Sequence, residues 1–493
     1  MADVIREYPA TDRVPDESQL RVEANGINVI EDGERKGFPK QLFWPWFGAN
    51  VSVLGLSYGS FTLGFGISFW QAVIAGVVGI VVSFLLCGFI AVAGKRGSAP
   101  TLVLSRAAFG VTGNKLPSIV SWVLTVGWET VLTALATLAT ATVFDRLGWG
   151  GGTSTKIVAL LVVTALIVGG GVMGFDLIMR MQAVITIVTG VLTVAYIILV
   201  AHHISWHAVS AMPNGSTQEV IGALIFLMTG FGLGWVNTAA DYSRYLPRRS
   251  STGGVIGWTT FGGALAPIAL LIFGLLLAGS SKDLNSAIAA DPIGALTTIL
   301  PTWFLVPFAI VAVLGLVGGA VLDIYSSGLA LLTIGLRAPR YVAALIDGVI
   351  MIAGTIYIAF FADDFIAQFE GLLITLGVPI AGWCGVMLAD ILLRHRDYDE
   401  VDLYRASGRY GAVRVAPTAI LVLATVLGWG LVTNAAASWL KWQGFLLGPF
   451  GLGGSSGAWA YANLGVLVAL VVGFVGTLLF SRGAVRRQEA LVR

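Results

Sequence analysis

Two carboxyl groups stand in the middle of long apolar runs, Glu129 behind Trp128 in VGWETVLTALAT and Asp323 in GGAVLDIYSSGLAL. An ionisable side chain at membrane depth is costly, so it is kept where it meets a partner, a cavity or a transported species. Such a carboxyl can hold a proton or bond the polar edge of a solute. The competing reading is a carboxyl tied to a neighbouring helix for packing alone. Asp347 and Glu370 lie nearer run ends or among residues that can hydrate them, and weigh less toward function. Asp241 and Arg244 close another run three residues apart, which places them on one helical face. That spacing predicts a local ion pair with a gating role in preference to substrate contact.

Flat rings and interrupted helices supply the other chemistry. Met228 to Pro247, MTGFGLGWVNTAADYSRYLP, begins inside an apolar run yet holds Gly230, Gly232 and Gly234. Glycines at this density weaken a helix, and non-helical backbone at membrane depth survives only where protein buries it or it lines a cavity. The stretch offers Phe231, Gly234, Trp235 and Asn237 as substrate contacts. A second interruption, Asn50 to Gly66 (NVSVLGLSYGSFTLGFG), comes five apolar runs earlier and offers Ser52 and Ser57. Gly-interrupted segments at matching places in two halves point to the binding site of a secondary transporter. Trp is common at membrane interfaces, but Trp128 and Trp235 lie well inside their runs.

Other patterns carry less. His203 and His207 have the i, i+4 spacing of a metal pair, but with His202 they end a run, where interfacial polar residues are expected. Gly169 to Gly171 and Gly174 lack a following Lys-Ser or Lys-Thr, so helix packing is the reading there, not phosphate binding. Cys87 and Cys384 fall in apolar runs and read as small buried hydrophobes. No Ser-His-Asp order, HExxH or paired-carboxylate loop argues an enzyme. Neither a metal nor a cofactor is expected.

These residues need a scaffold that spans a bilayer. The 493 residues are 56% hydrophobic and 11% charged, with mean hydropathy +0.86, whereas soluble domains carry roughly 25% charge. A net charge of +2 argues against a nucleic-acid partner. The polar tail of residues 1–42 contains no short apolar core with a cleavage site, so no signal peptide is expected. About 20 apolar residues are needed per span. On that ruler there are twelve, at 43–68, 70–94, 116–144, 155–175, 178–201, 220–245, 254–279, 303–335, 341–362, 364–393, 416–439 and 459–481. The segment from Leu284 to Leu300 reads as an interfacial helix. The expected partition is a cytoplasmic tail (1–42), two five-helix halves (43–201 and 202–393), helices eleven and twelve (394–481) and a cytoplasmic tail (482–493). With both termini inside, 25 of the 29 Lys and Arg fall on the cytoplasmic side, as the positive-inside rule requires.

With these residues in place, the chain resembles the nucleobase-cation symporter-1 family, within it the purine-cytosine permease branch. The matching passages are RAAFGVTG (106–113), KLPSIVSWVLTVGW (115–128), AADYSRYLP (239–247), DIYSSGLAL (323–331) and VPIAGWCGVMLADILLRHRDYD (378–399). The resemblance implies an all-α, twelve-helix fold of the sodium-leucine transporter type, with inverted five-helix repeats, two extra helices, and discontinuous helices one and six. It also implies a heterocycle stacked between a Trp of helix three, here Trp128, and an aromatic of helix six, here Trp235 or, one turn away, Phe231. The polar residue of helix eight, often Asn in relatives, falls at Asp323. Sodium-coupled members place a Ser/Thr pair on helix eight to ligate the ion with helix-one carbonyls; the matching positions here read Val317, Gly318 and Gly319. A hard cation loses oxygen ligands there, while Asp323 and Glu129 offer proton sites.

The expectation is an importer of a nucleobase, cytosine or a purine first, with proton favoured over sodium, in the plasma (inner) membrane. The nearest rival keeps the architecture and changes the cargo to uracil, allantoin, a hydantoin or a pyrimidine vitamin precursor, with sodium or proton. A membrane-embedded transferase would need a well-placed His or Cys nucleophile, and a channel would show facing polar stripes. The sequence has neither.

Overall fold

The computed structural model describes residues 22–362, 365–434 and 438–490; the side chains of 365–370, Glu370 among them, lie outside the described residues, as do the first 21 residues of the N-terminal tail and the last three of the C-terminal one. Among the described residues, ten helices are long and apolar enough to cross a membrane. The second span is Phe69–Gly97, the third Lys115–Arg146, the fourth Thr153–Met173, the fifth Phe175–Val200 and the seventh Thr252–Ser280. The eighth is Leu305–Ile334, the ninth Arg340–Phe360, the tenth Phe365–Leu393 and the twelfth Leu464–Ala490. With no water in the bilayer core, these runs satisfy their backbone groups internally.

Three regions depart from the spans read in the sequence. The first run, expected at 43–68, is two helices, Phe43–Asn50 and Leu54–Leu63. The sixth, expected at 220–245, is Thr217–Gly230, then Gly232–Trp235, a 3-10 turn, and Ala239–Ser243. It begins on a reciprocal cap in which Ser216 Oγ accepts from Glu219 N and Glu219 Oε2 accepts from Ser216 N, at 3.3 and 2.6 Å. The eleventh, expected at 416–439, stops at Trp429 after starting at Val415. There the following loop folds back, Gly444 N donating to Trp429 O and Leu446 N to Gly430 O, so the chain's carbonyls are met without further helix. Of the stretch from Leu284 to Leu300, only the beginning is α-helical, in Lys282–Ala290.

The eighth span packs along the third, the seventh along the second and along Leu54–Leu63, and the tenth and eleventh against the twelfth. At Gly59 the first and seventh spans touch backbone to backbone: a Cβ there would lie 2.3 Å from the carbonyl carbon of Gly274. Lipid-facing surface is equally legible on the fifth span, where Val184, Ile187, Val191, Val194 and Ile198 form one exposed stripe at helical spacing. The two helix breaks face each other and the third and eighth spans across the middle of the bundle.

Candidate functional site

Between the breaks lies a narrow cavity of about 50 Å³. Trp128, Phe231 and Trp235 supply its rings, Gly230 and Gly234 exposed backbone, and Asp323, Asn50, Ser52 and Tyr58 its polar side chains. The break of the sixth span sets the ring positions. Phe231 ends the helix Thr217–Gly230 at φ −119°, ψ −114°, and Gly232 N is met by Ser83 Oγ of the second span at 3.1 Å. Trp128 lies against Gly234, whose added Cβ would be 3.5 Å from the indole nitrogen. Trp235 is braced edge-on by the buried Trp46 at 5.8 Å, and Phe231 meets Tyr58 at 4.5 Å.

Asp323 is 2% exposed, and its Oδ2 is buried without a hydrogen-bond partner. A buried orphan acceptor on a cavity wall is a group prepared for something else to bond. Glu129 does not line the cavity; it is fully buried, and neither carboxyl oxygen has a partner. Asn237 does not line the cavity; it donates from Nδ2 to Ser121 Oγ at 2.7 Å, with its Oδ1 unbonded. Ser52 reaches the cavity while its Oγ accepts from Leu54 N at 3.3 Å.

Ser57, expected as a substrate contact, points elsewhere: its hydroxyl donates to Pro292 O, in the loop that follows the helix Lys282–Ala290. With Ser60 Oγ donating to Asn285 Oδ1 at 2.6 Å, it ties the second half of the first span to the helix Lys282–Ala290. The expected Asp241–Arg244 pair does not form either. Asp241 Oδ1 accepts from Thr101 N and Oγ1, both at 2.8 Å. Arg244 lies past the end of Ala239–Ser243 and turns to the N-terminal tail, 3.7 Å from Glu23. Glu23 also lies 3.4 Å from Arg340, accepts from Phe175 N at 2.9 Å and from Tyr325 at 3.2 Å, and accepts from the Tyr245 hydroxyl as well. One tail carboxylate thus joins the ends of the sixth and ninth spans, Tyr325 of the eighth and the turn between the fourth and fifth.

Sequence reasoning missed Glu23, Tyr58, Asn50 and Gln182. Asn50 and Tyr58 belong to the same interrupted stretch as Ser52, which was the available signal. Gln182, on the fifth span, donates from Nε2 to Gly318 O at 2.6 Å. A Cβ at Gly48 would fall 2.1 Å from Gln182 Oε1 and 3.1 Å from Thr186 Oγ1. Both of those oxygens are buried without partners.

Comparison with known proteins agrees with this architecture. The chain is 24% identical over 465 residues to the putative purine-cytosine permease YxlA of Bacillus subtilis, covering 92% of this chain and 96% of that one. It is 23% identical over 286 residues to the purine-cytosine permease FCY2 of Saccharomyces cerevisiae, covering 56% and 50% respectively. Among solved structures it resembles Mhp1, a nucleobase-cation-symport-1 family transporter, in a closed conformation with bromovinylhydantoin bound, at TM-score 0.68 and 18% identity over 96% of this chain and all of that one. The inward-facing form of Mhp1 aligns at TM-score 0.62 and 19% identity over 96% and 99% of the two chains. Residues 29–447 match the family described as permeases for cytosine/purines, uracil, thiamine and allantoin; the chain belongs to that family, a multi-pass membrane transporter and not an enzyme.

Proposed function

We propose that the chain imports a nucleobase, cytosine or a purine first, with a proton, by alternating access around the cavity of Trp128, Phe231, Trp235 and Asp323. The observation that carries this reading is Asp323: a carboxyl with an unbonded buried oxygen, on the wall of a cavity faced with flat rings. A protonated carboxyl presents one donor beside one acceptor. That pair complements the N3 and amino edge of cytosine or the N1 and amino edge of adenine, so proton and base reinforce each other's binding, as linkage in a symporter requires. Counting the split first and sixth runs and the short eleventh as spans gives twelve, as two five-helix inverted repeats plus two. Both termini are cytoplasmic in the plasma membrane, which the 25-to-4 partition of basic residues supports. The outer gate is then the Ser57 and Ser60 contacts with the loop, and the inner gate the Glu23 hub.

Sodium coupling is the second reading, favoured by the unbonded Gln182 Oε1 and Thr186 Oγ1 beside Gly48, oxygen ligands of the kind a hard cation takes. Uptake of labelled cytosine, adenine, uracil, allantoin and a hydantoin into proteoliposomes, under a proton or a sodium gradient in turn, separates these readings. Asp323→Asn is expected to bind and exchange the base yet fail to concentrate it in response to a proton gradient. Accumulation by that variant with unchanged pH dependence would remove Asp323 from the coupling step.

A further inference from the structure

Asp347 of the ninth span is buried, and two donors hold it: Trp122 Nε1 to Oδ1 and Ser327 Oγ to Oδ2, each at 2.8 Å. Those donors tie it to the same two spans that carry the other midplane carboxyls. Trp122 precedes Glu129 by seven residues on the third span, about 10 Å along a helix axis. Ser327 follows Asp323 by four residues on the eighth, about 6 Å. The third span begins where the eighth ends, Lys115 Nζ lying 3.3 Å from where a Cβ on Gly335 would stand, so both offsets put Asp347 on one side of the cavity, the side of Arg340 and its contact with Glu23. Glu129 sits on the third span against the ninth: Thr133 Oγ1, which donates to Glu129 O at 2.6 Å, lies 3.2 Å from Met351 Sδ, one turn beyond Asp347, and helical side chains lean toward their helix's N-terminus. Here that lean carries the Glu129 carboxyl toward Asp347.

Three buried carboxyls on three mutually packed spans are expensive at membrane depth, and the cavity uses only one of them. We propose that Asp347 is the last intramembrane station of the coupling proton, receiving it from Asp323 by way of Glu129 and releasing it to the cytoplasm. The proposal rests on the proton-coupled reading above. In sequence, the Asp323 O–H bond breaks as one forms on Glu129, then the Glu129 O–H breaks as one forms on Asp347, whose proton passes to cytoplasmic water once the Glu23 gate opens. Glu129 and Asp347 end as they began, Asp323 is left ionised until it takes a proton from the outer side with the next base, and no electrons move. Rotation of the Glu129 side chain, or water entering with the turn of the transporter, covers the intervening distance. The cations on the ninth span's neighbourhood stand apart from the relay: Arg340 lies seven residues before Asp347 and beside Glu23, and Lys156 donates to Ala359 O near the far end at 3.1 Å.

Asp347→Asn tests this directly, because its amide still accepts from Trp122 and can donate to Ser327, so a purely structural role survives. In proteoliposomes with a one-unit inward proton gradient and one proton per base, wild-type accumulation of labelled cytosine is limited to about tenfold. For Asp347→Asn we expect a ratio near one, with counterflow exchange retained and Asp347→Glu restoring part of the accumulation. Accumulation equal to wild type overturns the role of Asp347, and so does loss of counterflow together with accumulation, which marks a structural pin. A wild type that ignores the proton gradient overturns the proton reading and this relay together. Should Asp347→Asn fail to fold, Ser327→Ala removes one donor to the carboxylate; the midpoint of efflux against internal pH should then move upward, and an unmoved midpoint overturns the proposal.

Discussion

Glu23→Gln removes the charge from the hub proposed above as the inner gate and leaves its size unchanged. In the native structure the Glu23 side chain is 11% exposed, and the side chains of its partners Arg244 and Arg340 are 0% and 1% exposed. Removing one partner of a buried ion pair costs ~3 to 5 kcal/mol, because the other charge stays buried and uncompensated. The lower figure applies, since the Gln carbonyl can still accept from Tyr245 and Tyr325. In an open gate these groups meet water, so the loss falls on the closed state alone. A shift of ~3 kcal/mol is a factor of about one hundred, enough to bring a 99:1 preference for the closed gate near balance. A cysteine in place of Ser326, whose hydroxyl meets Tyr242 OH at 3.2 Å between cavity and hub, reports the opening. Cys87 and Cys384 are buried and give little background. In inside-out vesicles, alkylation of that cysteine should run tens of times faster with Glu23→Gln. Arg244→Gln should do the same, and the double variant should add little, since both remove one contact. Equal alkylation rates with and without Glu23→Gln would refute the hub as a gate.

Replacing Trp128 or Trp235 by Ala should weaken base binding several-fold or more, since stacking on an aromatic is worth ~1 to 3 kcal/mol, with Phe restoring part; unchanged titration curves in both would return these rings to packing. Cysteines placed at Ser280 and Thr153 should react with an impermeant reagent from outside intact cells, and one at Ser407 should not; labelling at Ser407 would invert the topology. Gly59→Ala drives a methyl to 2.3 Å from the Gly274 carbonyl carbon, and overpacking of that kind costs ~1 to 3 kcal/mol. Its thermal unfolding midpoint in detergent should fall, and a wild-type midpoint would deny the close contact.

The long spans were legible because hydropathy is a sum over twenty residues and tolerates local error. The breaks were legible because clustered glycines and polar side chains at membrane depth destabilise a helix that only lipid surrounds. Which side chain faces the cavity is a finer matter. Ser57 and Tyr58 are adjacent, about 100° apart around a helix, and the structure turns Tyr58 to the cavity and Ser57 to Pro292. No spacing rule fixes that rotation in a stretch whose helix restarts at Leu54. The Asp241–Arg244 expectation failed for a related reason. The three-residue rule holds along a continuous helix, and here the helix ends at Ser243, freeing Arg244 to meet a carboxylate 221 positions earlier in the chain. Contacts of that separation leave no local trace.

Gln182 shows how an absence read on one helix is completed by another. Val317, Gly318 and Gly319 carry no hydroxyls, which as sequence means only that oxygen ligands are missing from the eighth span. Protein interiors are close-packed, so the space such side chains leave is filled. The fifth span supplies an amide: Nε2 donates to Gly318 O at 2.6 Å, and Oε1 fits against Gly48, where a methyl would come within 2.1 Å. The two glycines and the amide are one fit across the first, fifth and eighth spans. A neutral strut at this junction holds the broken helix without carrying charge.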